Sequence, residues 1–128
     1  MVKLAMFTLG GSAYVGLEML WRGRSHISMF AAGGVCFLIL GAIGRKRGKL
    51  WQRALFGAAA VTAVELAAGL LVNRDWRVWD YRGEPLNLFG QVCLGYSALW
   101  AGLSLAAMAL YPWAERAAGA IFAPRSRR

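Results

Sequence analysis

The segment 54-ALFGAAAVTAVELAAGLLVN-73 holds twenty residues and one charge, Glu65. A helix needs about 20 mostly apolar residues to cross ~30 Å of hydrocarbon, so this stretch has the length of one membrane span. It is too long for a strand of 4–8 residues and shows no period-2 alternation. Reading it as a span decides the fold and raises a question, because a carboxylate inside hydrocarbon costs ~2.5–3.5 kcal/mol on insertion scales and has to face the bundle interior or water.

The rest of the chain repeats the pattern. Leu4–Leu17 has no charge, and its apolar run reaches Trp21 if Glu18 is admitted. Ile27–Gly44 has none, and Pro85–Ala114 has none but meets Pro112 near its end. The expectation is an all-α polytopic membrane protein: a four-helix transmembrane bundle in one domain, 1–128, with spans at about 3–21, 26–44, 52–73 and 86–111. A short interfacial segment follows at 112–123, where Trp113 suits headgroup level and apolar residues interleave with Glu115 and Arg116. The 124–128 tail reads as a basic, disordered end.

Composition agrees. Hydrophobic residues make up 59% of the 128 and charged residues 16%, against about 25% charged in soluble domains. That excludes a disordered chain. A chain this short also lacks the polar shell to hide four such helices in a soluble core. A signal peptide is the competing reading of the first span, since Lys3 precedes an apolar run containing Gly11-Ser12-Ala13. The apolar face continues past Ala13 with no polar mature domain behind it, which favours a span.

The net charge of +9 would suggest nucleic acid in a soluble protein. Its distribution suggests topology instead. With four spans, one face collects Lys3, Arg45, Lys46, Arg47, Lys49, Arg53, Arg116, Arg125, Arg127 and Arg128, ten in all; the other has Arg22, Arg24, Arg74, Arg77 and Arg82. The basic excess puts both termini in the cytoplasm. Arg45, Lys46, Arg47 and Lys49 are then expected to meet anionic lipid headgroups, and no nucleic-acid partner is expected.

Polar residues converge toward the opposite, outer half. Glu18 and Arg22 are an i,i+4 pair, open to reading as a snorkelling surface ion pair. Glu65 shares a helical face with Ala58, Thr62 and Gly69, small residues that admit a neighbouring helix. The loop 73-NRDWRVWDYRGEPLN-87 is rich in charge, with Trp76, Trp79 and Tyr81 suited to the membrane–water interface. Pro85 is placed at a helix start, which would put Asn87 and Gln91 one turn apart inside the fourth span. Glu18, Glu65, Trp79, Asp80, Tyr81, Asn87 and Gln91 are therefore the candidate ligand- or ion-binding set.

Enzymatic chemistry and a cofactor are not expected. His26 is the lone histidine, and no Ser/His/Asp set or nucleotide motif accompanies it. Cys36 and Cys93 form no CxxC or His/Cys metal cluster, and spacing cannot tell whether they pair.

Glu65-Leu66-Ala67-Ala68-Gly69, Val78-Trp79-Asp80-Tyr81, the run Pro85-Leu86-Asn87-Leu88-Phe89-Gly90-Gln91-Val92-Cys93, and Trp100 together resemble the signature of a family of small bacterial integral membrane proteins, the type IV ABC-transporter permease family. Gly16 and Glu18 are the matches in the first span. The resemblance implies a multi-pass protein of the bacterial inner membrane and a transporter component for a small solute or cation, working as a homo-oligomer or within a larger membrane complex. No Walker A sequence is present, so the chain is not itself the ATPase. The alternative is a non-transporting assembly partner whose polar cluster is structural.

Overall fold

The clusters of charge that bound the apolar segments also end the helices. In the computed structural model, which describes residues 1–46 and 48–123, α1 runs Val2–Arg22, α2 Ile27–Arg45, α3 Leu50–Val72 and α4 Leu94–Phe122. α1 stops at Gly23, whose φ of 73° only glycine takes without strain, and its N–H closes onto the Met19 carbonyl. His26 is the N-cap of α2, its Nδ1 accepting from the Ser28 N–H at 3.1 Å.

Among the described residues, α2, α3 and α4 are each long and apolar enough to cross a membrane. The protein is thus a multi-pass helical membrane protein. α1 packs along α2 by a contact of glycines. Gly10 and Gly33 face each other so closely that a Cβ on Gly33 would stand 2.5 Å from the Tyr14 Cβ and 3.0 Å from the Gly10 carbonyl. One on Gly11 would meet the Phe30 carbonyl at 2.5 Å, and one on Gly34 the Phe7 ring. Close backbone approach of this kind replaces the hydrophobic drive that lipid cannot supply. Phe7 and Phe30 add an edge-to-face pair at 5.9 Å beside it.

The core lies in three layers along the bundle. Met6, Tyr111, Ala114 and Ala118 pack at the end that carries the termini. Leu40, Val61, Trp100 and Met108 fill the middle. Met29, Trp79, Tyr81 and Cys93 pack at the opposite end, beneath the 73–93 loop. Cys36 and Cys93 are both free thiols.

Two boundaries differ from the sequence expectation. The fourth helix begins at Leu94, not at 86, because Asn87–Leu88 and Val92–Cys93 pair as an antiparallel hairpin. The segment expected to lie separately at 112–123 is continuous with α4, which passes through Pro112. A proline inside a membrane helix is tolerated where neighbours re-satisfy the freed backbone. Here the preceding residue, Tyr111, is almost fully buried against Gly41 and Phe37. Arg47 and the 124–128 tail lie outside the described residues.

Candidate functional site

A helix that reaches Val72 leaves its last carbonyls to be capped, and the chain answers with Asn73. The Asn73 N–H closes onto the Gly69 carbonyl at 2.9 Å. Its side chain, with no exposure to solvent, then organises the whole loop. Nδ2 donates to the Trp79 carbonyl at 2.7 Å and to Gln91 Oε1 at 2.8 Å, while Oδ1 accepts the Val78 N–H at 2.8 Å. Gln91 returns a bond from Nε2 to the Asn73 carbonyl at 2.8 Å, and the Trp79 indole donates to the Gln91 carbonyl at 2.8 Å. Gly69 is what lets the hairpin in: a Cβ there would collide with the Gln91 side chain. Every polar atom of the two amides is thereby engaged, as burial in a low-dielectric site demands.

This locked loop presses Tyr81 down onto the bundle. Tyr81 stacks on Tyr96 of α4 at 4.7 Å with the planes 9° apart, and its hydroxyl accepts from Arg22 Nη2 at 3.0 Å. Arg22 is held from the other side by Glu18 at 3.2 Å. The Glu18–Arg22 pair expected from spacing is therefore present, with Glu18 buried and Arg22 half-buried beneath the loop, rather than snorkelling at the surface. Burial raises the Tyr81 hydroxyl well above its ordinary range, and the negative charge of Glu65 adds to the effect.

Glu65 is buried on the face of α3 that meets α4. The Trp100 indole donates to its Oε2 at 2.8 Å. One turn below, Thr62 bonds to Ser97 of α4 at 2.8 Å. The small-residue face read from the sequence is thus a true helix–helix contact. Two sets of contacts result: Glu18 with Arg22 and Tyr81, and Glu65 with Trp100, with Tyr14 tilted against Trp100 at 5.7 Å.

Other expected members do not join it. Asp80 points to solvent and is gripped by Arg82 through two side-chain bonds of 2.9 and 2.8 Å. The Arg82 guanidinium holds its carboxyl down to about 2. Asn87 is exposed and folds the hairpin turn, donating to the Glu84 carbonyl at 3.0 Å and accepting from the Gly90 N–H at 3.0 Å. Asn87 and Gln91 are therefore not one helical turn apart; the hairpin sends one outward and the other inward. Trp79 and Tyr81, expected at the membrane interface, are 2% and 4% exposed, packed within the protein.

Sequence reasoning missed Asn73 as the organiser and Trp100 as the donor to Glu65. An Asn directly after a long apolar helix, ahead of a Trp-rich loop, was the available signal for the first. For the second, the signal was a lone Trp in mid-span, where an N–H requires an acceptor.

Two cavities adjoin these contacts. One, of about 340 Å³, sits at the loop end and is walled by Glu18, Arg24, His26, Asp75 and Arg77 among others. The other, of about 370 Å³, is an apolar groove between α1 and α4, with Tyr14 and Trp100 in its wall. No cluster of His, Cys, Asp and Glu able to hold a metal ion occurs among the described residues.

A bundle of helices long and apolar enough to cross a membrane, with glycine contacts between its backbones, is that of a polytopic membrane protein. Residues 19–124 match the family described as "putative ABC-transporter type IV", and the chain belongs to that family. No curated protein and no solved structure matches it.

Proposed function

We propose that the protein is a transport-related membrane subunit with a cation- or amine-selective polar site at the loop end of a four-span bundle. The observation that carries this reading is electrostatic. Of two buried carboxylates, Glu18 is paired with Arg22, and Glu65 has no cation within ion-pair distance among the described residues. With both acids ionised, one negative charge stays uncompensated in the protein interior, where a monovalent cation, a protonated amine or a proton is the natural complement. The loop-end cavity supplies a route, since Glu18 is in its wall. Glu65 is the central acid, Arg22 and Tyr81 hold Glu18 at the loop end, and Trp79 and Gln91 fix the loop above. Asp80, with its pair to Arg82 at the surface, contributes only to the field at the mouth, and Asn87 shapes the hairpin.

The basic residues favour an orientation with both termini in the cytoplasm of a bacterial inner membrane. Arg45, Lys46 and Lys49 are exposed there and suit anionic headgroups, although Arg45 also pairs with Glu115. Four helices enclose little volume, so a pathway would run between copies or along a larger partner, and a separate ATPase would supply any nucleotide hydrolysis.

The test is solute-coupled cation flux in proteoliposomes. Glu65→Gln should abolish flux while helix content and melting stay near wild type. Unchanged flux with an intact fold would sink this reading. A second reading, an assembly partner whose polar cluster only holds the helices together, is favoured by one fact: Glu65 already accepts from Trp100 and is absent from the walls of both cavities. No flux from the isolated protein, together with a stoichiometric membrane partner on purification, would select it.

A further inference from the structure

We infer that the outer strand of the 87–93 hairpin is a lipid-inserted wedge, with Leu86, Leu88 and Phe89 seated at the acyl–glycerol boundary of the leaflet at the loop end. The inference needs only a multi-pass bundle and is independent of any transport by the chain. α3 has 23 residues, about 34 Å of helix axis, so a ~30 Å hydrocarbon core centred on it ends within its last turn. Gly69 opens that turn, and Gln91 of the hairpin packs against it. The strand register sets Asn87 opposite Cys93 and Leu88 opposite Val92, and its continuation brings Leu86 beside Leu94, the first residue of α4. The hairpin therefore stands at the edge of the hydrocarbon rather than above the membrane. Every helix marks the same level with exposed apolar side chains: Leu20 and Trp21 of α1, Ile27 of α2, Leu71 of α3 and Leu94 of α4.

Val92 and Cys93 of the inner strand are buried against the bundle, while Leu86, Leu88 and Phe89 are 75%, 48% and 65% exposed. Leu86 and Phe89 also hold left-handed backbone, with φ of 54° and 56°, a conformation that is costly for a bulky residue. Packing inside the protein does not offset that cost, because both side chains stand outside it. In water the strand would add exposed apolar area to strained backbone. At the lipid edge, burial of the same side chains opposes both. The exposed strand is continuous with Leu94 on the lipid-facing surface of α4, so the occupant is the bilayer. The open edge limits the depth. The sheet has two strands, so one edge of Asn87–Leu88 has no strand beside it, and open sheet edges do not enter hydrocarbon. The side chains reach the acyl chains while the strand backbone stays in the hydrated headgroup layer. Leu86, Leu88 and Phe89 thereby take the interfacial place that Trp79 and Tyr81, packed within the protein, leave unfilled.

The test uses the full wild-type chain in phosphatidylethanolamine–phosphatidylglycerol bilayers doped with a phospholipid whose acyl chain carries a diazirine next to the glycerol. Carbene adducts are mapped by mass spectrometry after irradiation, and hydroxyl-radical oxidation is mapped in parallel from the water side. Adducts on residues 86–89 should match those on Leu71 and exceed several-fold those on Arg77, whose side chain is 85% exposed in the same loop. Leu86→Ser with Phe89→Ser should cut the hairpin adducts several-fold and raise its oxidation, with Leu71 unchanged. Hairpin adducts at the Arg77 level in the wild-type chain overturn the proposal. So do hairpin adducts that the double variant retains in full. Protection of 86–89 from both reagents makes a second copy or another protein the cover and also overturns it. Should the double variant fail to fold, the wild-type comparison of 86–89 with Leu71 and Arg77 decides alone.

Discussion

Asn73 and Gln91, eighteen residues apart, satisfy each other: the Asn73 amide donates to Gln91 Oε1, and Gln91 Nε2 donates to the Asn73 carbonyl, each at 2.8 Å. Both are buried, at the junction of α3 and the hairpin. Replacing Asn73 by Ala strands the Trp79 carbonyl and the Val78 N–H in addition. A buried group left without its partner costs about 1–3 kcal/mol. Asn73→Ala should therefore lower the melting temperature clearly and open the 73–93 loop to protease, with cleavage mapped by mass spectrometry. A loop as resistant as wild type would mean that the amide pair does not hold it.

Trp100 stands to Glu65 as donor to acceptor. Trp100→Phe keeps most of the ring's packing and removes the N–H. The stranded carboxylate should destabilise the bundle by more than about 1 kcal/mol, because hydrogen bonds to charged groups are the stronger ones. Adding Glu65→Leu to Trp100→Phe should recover part of the loss, since an apolar replacement of both partners is less costly than one orphan. Additive losses in denaturant melts would show that the pair is not coupled.

The glycines fall into two kinds, which makes a controlled comparison possible. A Cβ at Gly57 would stand 2.5 Å from Ser104 Cβ, and one at Gly41 would run into the Tyr111 ring at 2.5 Å. Gly57→Ala and Gly41→Ala should each cost about 1–3 kcal/mol by overpacking. Gly102, mid-helix in α4, has nothing within 4 Å of such an atom. Gly102→Ala should be neutral or stabilising by up to about 1 kcal/mol. Thermal melts of the three in one detergent test the ordering.

Asp80 gives the acid behaviour of the loop a defined window. Its carboxyl is lowered from 3.8 to about 2, first by the side-chain bond from Arg82 and then by the Arg82 N–H. A carboxyl depressed in the folded state stabilises above its unfolded value and loses that contribution as pH falls through the folded value. The small contribution of this exposed pair should therefore be complete above about pH 4 and fade toward pH 2. Asp80→Asn should flatten the profile in that interval, match wild type near pH 2 and lie slightly below it from about pH 4 to neutral. Melting temperatures measured across the interval for both proteins test the sign.

The first three helices were legible to within about two residues, because arginines, lysines and Gly23 bracket apolar runs of membrane length. The fourth was not. Leu86, Leu88, Phe89, Val92 and Cys93 extend the uncharged run of the helix back to Pro85, with Asn87, Gly90 and Gln91 among them, so the absence of charge hides a hairpin of two-residue strands. Left-handed backbone occurs at Leu86, just before the hairpin, and at Phe89 in its turn, with φ of 54° and 56°, where bulky residues are outliers without a sequence signature. Pro112 gave the opposite error, since proline reads as a break where tertiary packing carries the helix through. Glu65 was legible as a lone acid in an apolar run, and Glu18 with Arg22 as an i,i+4 pair. The bond from Arg22 to Tyr81 was not, because Tyr81 arrives from a loop whose path Asn73 sets.

α1 is the helix that does not reach the apolarity of the other three, and it is also the one joined to α2 by facing glycines at Gly10, Gly11, Gly33 and Gly34. In the proposed four-span arrangement these facts belong together at biogenesis. A segment of modest hydrophobicity that is synthesised ahead of α2 gains little from entering lipid by itself. Once α2 follows through the four-residue 23–26 connection, the two can enter as one antiparallel hairpin, with the glycine seam formed as they insert. The order of synthesis then matters. α1 alone should partition poorly in an insertion assay and α1–α2 well, and a bulky residue at Gly33 should show its damage at the translocon before the finished bundle exists.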